Sequence, residues 1–213
     1  MIEYLVKEPT QITTKTKAIL MLHGFGSNEA DLFSLSNYFP NDLYIISARA
    51  PYKLDFGGYA WYDIQLDMYG NKISNNQQAE KSLHQLSEFI DIIIEKYNIS
   101  PENFNLMGFS QGAILSYALS FNYPNKVKNI IGLSGYINED IMPLNYKNEN
   151  FKHLNFFVSH GLYDEIIPIE LARKIPEFLQ QRKVLYEYNE YPMGHEINAQ
   201  CLQDMLDWIN KNF

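Results

Sequence analysis

The stretch Phe104-Asn105-Leu106-Met107-Gly108-Phe109-Ser110-Gln111-Gly112-Ala113-Ile114-Leu115-Ser116-Tyr117-Ala118-Leu119 decides the fold. Its first third is an apolar run of strand length, and its last half is an apolar run of helix length. Between them, in Gly108-Phe109-Ser110-Gln111-Gly112, a serine stands between two glycines. A strand that turns this sharply into a helix crowds the backbone on both sides, and residues without a Cβ relieve the crowding. The same turn holds Ser110 proud of the sheet in a strained conformation. The helix that follows directs its free N–H groups toward the place where an anionic oxygen would form.

Outward from this turn, strand-length and helix-length segments alternate. That pattern specifies an α/β fold with a mainly parallel central sheet flanked by helices. Strands are expected at Ile2–Lys7, Ala18–Leu22, Leu43–Ser47, Phe104–Gly108, Ile130–Ser134, Phe156–His160 and Leu185–Tyr191. Helices are expected at Glu29–Tyr38, Gln78–Tyr97, Gln111–Asn122, Ile169–Arg182 and Glu196–Asn212. In the second of these, Leu83, Leu86, Phe89, Ile90, Ile93 and Ile94 form one apolar stripe at helical spacing. No repeat, low-complexity tract or composition break divides residues 1–213, so one domain is expected.

Composition excludes several function classes. The 213 residues are 46% hydrophobic, enough for one large core, and carry a formal net charge of −8. Nucleic acid and anionic membrane surfaces call for a basic face, so neither is expected as a partner. The one cysteine, Cys201, allows no internal disulfide and fits a reducing, cytoplasmic compartment. The N-terminal Met1-Ile2-Glu3-Tyr4-Leu5-Val6-Lys7 reads as a strand rather than a secretory signal, and no run has the length of a membrane span. Neither His-Glu-x-x-His nor paired-cysteine spacing is present, and His23-Gly24-Phe25-Gly26 lacks the Gly-Lys of a phosphate loop. No metal site and no phosphate-binding loop are therefore expected.

A serine hydroxyl needs a base to take its proton as it attacks. When a serine at such a turn works with an acid and a histidine, these follow it in that order, the arrangement of an α/β-hydrolase. The order removes His23 and His84. His153 lies in an irregular loop, and His160 precedes the best acid. His195 remains, in Tyr191-Pro192-Met193-Gly194-His195-Glu196, between the last strand and the last helix. The acid is Asp164, in Ser159-His160-Gly161-Leu162-Tyr163-Asp164-Glu165-Ile166-Ile167-Pro168, just past a strand end. Glu165 is the alternative acid, and Asp140 reads as a solvated loop residue. Two N–H donors are expected for an oxyanion. One is that of Gln111, after the nucleophile; the other is that of Phe25, in the His23-Gly24-Phe25-Gly26-Ser27 loop. His23 itself reads as a residue that orders this loop.

Two connections exceed the usual length, Arg49–Asn76 and Asn138–His153, and long ordered loops often line binding sites. The Tyr59-Ala60-Trp61-Tyr62 cluster either walls a pocket or pins its own loop down. Ile166 and Met193, beside the acid and the histidine, are further apolar candidates for the substrate pocket. Exposed aromatics in the long loops would serve a substrate groove or a homodimer contact.

Five motifs stand in order: Leu22-His23-Gly24-Phe25-Gly26-Ser27-Asn28-Glu29-Ala30-Asp31-Leu32, Gly108–Ala113, Gly132-Leu133-Ser134-Gly135-Tyr136, His160–Pro168 and Gly194-His195-Glu196. Together they resemble the phospholipase/carboxylesterase family, which includes the acyl-protein thioesterases. The resemblance spans nearly the whole chain. It implies a compact α/β-hydrolase without a large lid that acts on carboxylic esters or thioesters with no cofactor. It carries Ser110, Asp164 and His195 as nucleophile, acid and base, and Phe25 and Gln111 as oxyanion donors. The Ala60-Trp61-Tyr62-Asp63 segment is similar to the family's loop near the acyl pocket, which implies a wall role for Trp61. Ser27 stands where the eukaryotic thioesterases usually have aspartate, and Gln65–Asn76 departs from their pattern, which leans toward the bacterial esterase branch. The reading is a carboxylesterase for small-molecule esters of small to medium acyl groups. Alternatives are an acyl-protein thioesterase, lysophospholipase or peptidase using the same triad, or a non-catalytic binding protein on the same scaffold.

Overall fold

Every residue of Ala18–Leu22 is fully buried, on both faces of the strand, and that requirement organises the molecule. A sheet buried on both faces needs helices on both sides, which parallel strands with helical crossovers supply. The computed structural model describes residues 2–66, 68–69, 72–143 and 151–213. Positions 67 and 70–71 of the first long loop, Gly70 among them, and 144–150 of the second lie outside the described residues.

The strands are β1 (Tyr4–Lys7), β2 (Lys17–Leu22), β3 (Leu43–Ala48), β4 (Tyr52–Lys53), β5 (Tyr59–Ala60), β6 (Ile64–Leu66), β7 (Lys72–Ser74), β8 (Phe104–Phe109), β9 (Asn129–Leu133), β10 (Asn155–Gly161) and β11 (Leu185–Tyr191). The α-helices are α1 (Ala30–Phe33), α2 (Asn76–Tyr97), α3 (Gln111–Asn122), α4 (Ile169–Ala172), α5 (Ile175–Gln181) and α6 (Ala199–Asn212). The main sheet has seven strands in the order β1-β3-β2-β8-β9-β10-β11. All neighbours are parallel except β1, which runs antiparallel to β3. This is the α/β-hydrolase fold that the sequence specified, with no large lid among the described residues.

Alternation along the strands sorts the core into two layers. Leu20, Leu106, Ile130, Phe156 and Val158 face one side, under α2, α3 and α5. Ile19, Met21, Met107, Ile131 and Phe157 face the other, with Cys201, Met205 and Trp208 of α6. Helix α3 is buried from Gln111 to Phe121 because it lies in the middle of the first layer. Asn75 and Asn198 cap α2 and α6 by accepting the N–H of Gln78 (3.2 Å) and Cys201 (2.9 Å).

Three expectations needed revision. Residues 30–38 form one short α-helix followed by 3-10 turns at Ser34–Tyr38 rather than a continuous helix. The helix expected over Ile169–Arg182 is two helices, because Pro176 lacks the N–H that a continuous helix would use and starts α5 instead. The Arg49–Asn76 loop holds two short hairpins, β4–β5 and β6–β7. No helix among the described residues is long and apolar enough to cross a membrane.

Strand register brings the functional loops to one edge. Leu22 pairs with Gly108, Gly108 with Gly132, Phe109 with Leu133, and Leu133 with Ser159. Gly161 pairs with Tyr191. The segments after β2, β8, β9, β10 and β11 therefore all emerge at the carboxyl ends of parallel strands.

The first turn of α3 abuts the end of β2. A Cβ on Gly112 would lie 1.9 Å from the Leu22 carbonyl oxygen, and one on Gly108 would lie 2.3 Å from the Gly112 carbonyl. Backbone on both sides leaves nothing to yield. Gly112→Ala is expected to destabilise the protein by at least about 3 kcal/mol in urea unfolding. Gly194→Ala, whose Cβ would meet nothing nearer than 3.8 Å, should cost less than about 1 kcal/mol. Equal effects of the two substitutions would refute the packing argument.

Candidate active site

Ser110 stands between β8 and α3, as the N-cap of α3, with φ 53° and ψ −116°, a backbone conformation that L side chains rarely adopt. Holding such a residue costs about 1–3 kcal/mol, offset by the surrounding structure. Here the Ser110 N–H donates to the Leu133 carbonyl at 2.8 Å, and the Ser110 carbonyl accepts from Ala113 and Ile114 in the first turn of α3.

His195 meets this serine. Its Nε2 lies 2.9 Å from Ser110 Oγ and its Nδ1 lies 2.7 Å from Asp164 Oδ2. The arrangement fits Nδ1–H donating to the carboxylate and the serine hydroxyl donating to Nε2. The Phe109 ring packs against the imidazole with centroids 4.9 Å apart. The Asp164 carboxylate is buried, and its second oxygen, Oδ1, accepts the N–H groups of Ile166 and Ile167, both at 2.9 Å. That pair of backbone bonds fixes the rotation of the carboxylate and leaves Oδ2 aimed at His195.

The acid and histidine loops brace each other. Leu162 N–H donates to the Tyr191 carbonyl at 2.8 Å and Tyr163 N–H to the Met193 carbonyl at 3.0 Å. His160, set aside above as a base, lies under the acid: its Nε2 donates to the Ile167 carbonyl at 2.9 Å and is 3.4 Å from Asp164 Oδ2. The other candidates are elsewhere. Glu165 is exposed, and Asp140 accepts from Asn76. His84 pairs with Tyr123, and His153 with the Pro124 carbonyl.

The loop after β2 runs against the nucleophile, since a Cβ on Gly24 would lie 3.4 Å from that of Ser110. Among the described residues, neither the Phe25 N–H nor the Gln111 N–H has an acceptor. His23 orders this loop. Its Nδ1–H donates to the Gly24 carbonyl at 2.7 Å and its Nε2 accepts the Ala50 N–H at 3.1 Å. No group of three or more His, Cys, Asp or Glu among the described residues is arranged to hold a metal ion.

The pocket assignments change. Trp61 and Tyr62 were expected at the pocket wall, but their side chains are 0% and 1% exposed and cannot touch a substrate as they stand. The Trp61 indole N–H donates to the His23 carbonyl at 2.9 Å instead. Met193 is also buried, packed in the layer under α6 with its sulfur accepting the Asn198 N–H. Ile166 alone of the four is open, at 51% exposure beside the acid. A cavity of about 210 Å³ touches Phe109 and the two residues that follow His195, with Leu32, Leu35 and Ile197 as its apolar walls and Asp31 and Glu196 at its margin.

Comparison with known proteins bears on the family and the fold. Residues 6–213 match the family model described as phospholipase/carboxylesterase. The chain is similar to a probable carboxylesterase, SOBER1-like, of Arabidopsis thaliana, 30% identical over 91% of this chain and 78% of that protein. It is also similar to acyl-protein thioesterase 1 of Kluyveromyces lactis, 28% identical over 91% of this chain and 90% of the other. The fold matches the crystal structure of a Bacillus cereus carboxylesterase with a TM-score of 0.87 at 21% identity, covering 100% of this chain and 95% of that one.

His23 makes the loop pH-dependent. Burial pushes its imidazole below the ordinary 6.5, against the opposing pull of the Gly24 carbonyl and of Asp31 and Glu29. The unfolded chain takes up this proton near 6.5, and the folded chain only at lower pH. The stabilisation is therefore complete above 6.5 and is lost as pH falls from there through the folded-state value. Urea unfolding at about pH 7.5 and about pH 5.5 should show wild type losing more stability on acidification than His23→Asn. Identical losses would overturn this reading of His23.

Proposed function

The chain belongs to the phospholipase/carboxylesterase family, and on that premise we propose that it is a serine hydrolase of carboxylic esters with small to medium acyl groups. The observation that carries the reading is the hydrogen-bonded series Ser110 Oγ, His195 and Asp164, at 2.9 Å and 2.7 Å. In this reading Ser110 Oγ attacks the ester carbonyl while His195 Nε2 takes its proton. Asp164 keeps the imidazole in the required tautomer and stabilises the imidazolium. The tetrahedral oxyanion is received by the N–H groups of Phe25 and Gln111. His195 then protonates the departing alcohol, leaving an acyl group on Ser110. Water, deprotonated by the same imidazole, attacks the acyl-enzyme and releases the acid.

The departure of Gln65–Asn76 from the thioesterase pattern supports the shorter acyl groups. A second reading, acyl-protein thioesterase, is favoured by the similarity to thioesterases over nearly the full chain and by the exposed Phe56 and Tyr163 side chains. A cytoplasmic location belongs to the same proposal, supported by the lone, buried and unpaired Cys201.

Hydrolysis of p-nitrophenyl esters from acetyl to dodecanoyl tests both readings, run beside thioesters of the same acids. The proposal expects turnover with a short-chain optimum. Ser110→Ala and Asp164→Asn should each lower kcat about 10⁴-fold or more while remaining folded. A long-chain thioester optimum would favour the second reading. A folded wild type inert toward every ester and thioester would refute both.

A further inference from the structure

We infer that the Gln111 side chain is a positioning residue that sets the spacing of the two oxyanion donors, acting through the backbone and indole of Trp61. The inference rests on the serine-hydrolase reading above and adds to it a buried circuit of hydrogen bonds.

A primary amide offers one acceptor and two donors. The Gln111 amide, 2% exposed as a residue, uses them on consecutive residues of the long loop. Its Oε1 accepts the Trp61 N–H at 2.8 Å, and its Nε2 donates to the Tyr62 carbonyl at 2.8 Å. The Trp61 carbonyl is held separately by Ser82 Oγ at 2.5 Å. From the gripped residue the indole N–H reaches back 2.9 Å to the His23 carbonyl. Two residues further on is Phe25, whose N–H is the second oxyanion donor. The far side of the same turn is tied by the neighbouring segment: Gly26 N–H donates to the Tyr59 carbonyl at 2.9 Å, and Tyr59 N–H donates to the Ser27 carbonyl at 2.7 Å.

The circuit runs from donor to donor. It starts at the Gln111 backbone, passes through its amide to Trp61, through the indole to His23, and reaches Phe25 along the loop backbone. Gln111 and Trp61 are both fully or almost fully buried, so these bonds are made away from water, where each constrains geometry more strongly. Nothing in the chemistry of ester attack needs the Gln111 side chain, because its contribution to the oxyanion is a backbone N–H. The side chain instead connects one donor to the other.

Three variants test this: Gln111→Met, which keeps bulk and loses both amide bonds; Gln111→Glu, which keeps the acceptor and loses the donor; and Trp61→Phe, which keeps a ring and loses the indole N–H. Each is assayed for kcat and KM on p-nitrophenyl acetate and for inhibition by an alkylboronic acid, which forms a tetrahedral adduct on a reactive serine. Thermal melting checks the fold. Because an oxyanion donor acts on the transition state, kcat should fall about 10–100-fold with KM changed less than about 3-fold. Boronate affinity should fall in parallel with kcat. Gln111→Met combined with Trp61→Phe should be no worse than the more damaged single variant, since both cut one circuit. Folded variants with wild-type kcat, losses confined to KM, or losses that multiply in the double variant would overturn the circuit alone. A wild type inert toward every ester would remove the parent reading and this inference with it. Should Gln111→Met fail to fold, Trp61→Phe decides the matter.

Discussion

The first turn of α3 lies against the end of β2, and the rest of the site depends on that contact. Only glycine at 112 lets the helix come so near the Leu22 carbonyl, and only glycine at 108 lets the strand pass under the same turn. The approach has three consequences. It forces Ser110 into a positive φ that lifts its Oγ clear of the sheet. It brings the start of α3 against the loop that leaves β2, as the proposed convergence of two oxyanion donors requires. It also fixes the strand-to-helix turn at the sheet edge where the loops after β10 and β11 emerge. A wider separation would keep every residue of the site and lose the geometry.

The acid illustrates how burial is made tolerable. An isolated buried carboxylate is costly, and pairing or hydrogen bonding must offset the desolvation. Asp164 has two backbone N–H groups on Oδ1 and His195 on Oδ2. The backbone bonds do more than satisfy charge, since they stop the carboxylate from rotating and leave one oxygen for the imidazole. His160 contributes from below by holding the Ile167 carbonyl, which belongs to the same turn. His23 and His160 thus use their rings as hydrogen-bonding struts, and His195 alone of the five histidines faces the serine.

Much of this was legible in the sequence where the signal was local. Strand β11 and helix α3 have the boundaries that pattern alone gave, and the other main-sheet strands differ by one or two residues at an end. The order serine, acid, histidine singled out Ser110, Asp164 and His195, and the structure brings those side chains together. Pro176 was also a local signal, and the continuous helix over 169–182 overlooked it. What was not legible depends on distant partners. The aromatic cluster at 59–62 reads equally as wall or anchor. Whether Trp61 faces substrate or core is decided by His23, Ser82 and Gln111, up to fifty residues away. Met193 is misread for the same reason: proximity to His195 in sequence places it near the site, yet packing under α6 turns its side chain away.

These facts divide the site's residues into two kinds. The groups proposed to react, Ser110, Asp164 and His195, sit in the turn and loops that follow β8, β10 and β11, where main-chain hydrogen bonds brace them. The donors proposed for the oxyanion are backbone N–H groups, which no substitution short of proline can remove. Any change of sequence that tunes them must act on the side chains that hold the backbone in place. Those side chains are Gln111, Trp61 and His23, and all three are buried. Residues at the rim, such as Ile166 and Tyr163, are exposed instead. The buried layer of these loops is thus held by hydrogen-bond geometry, while the outer layer faces solvent.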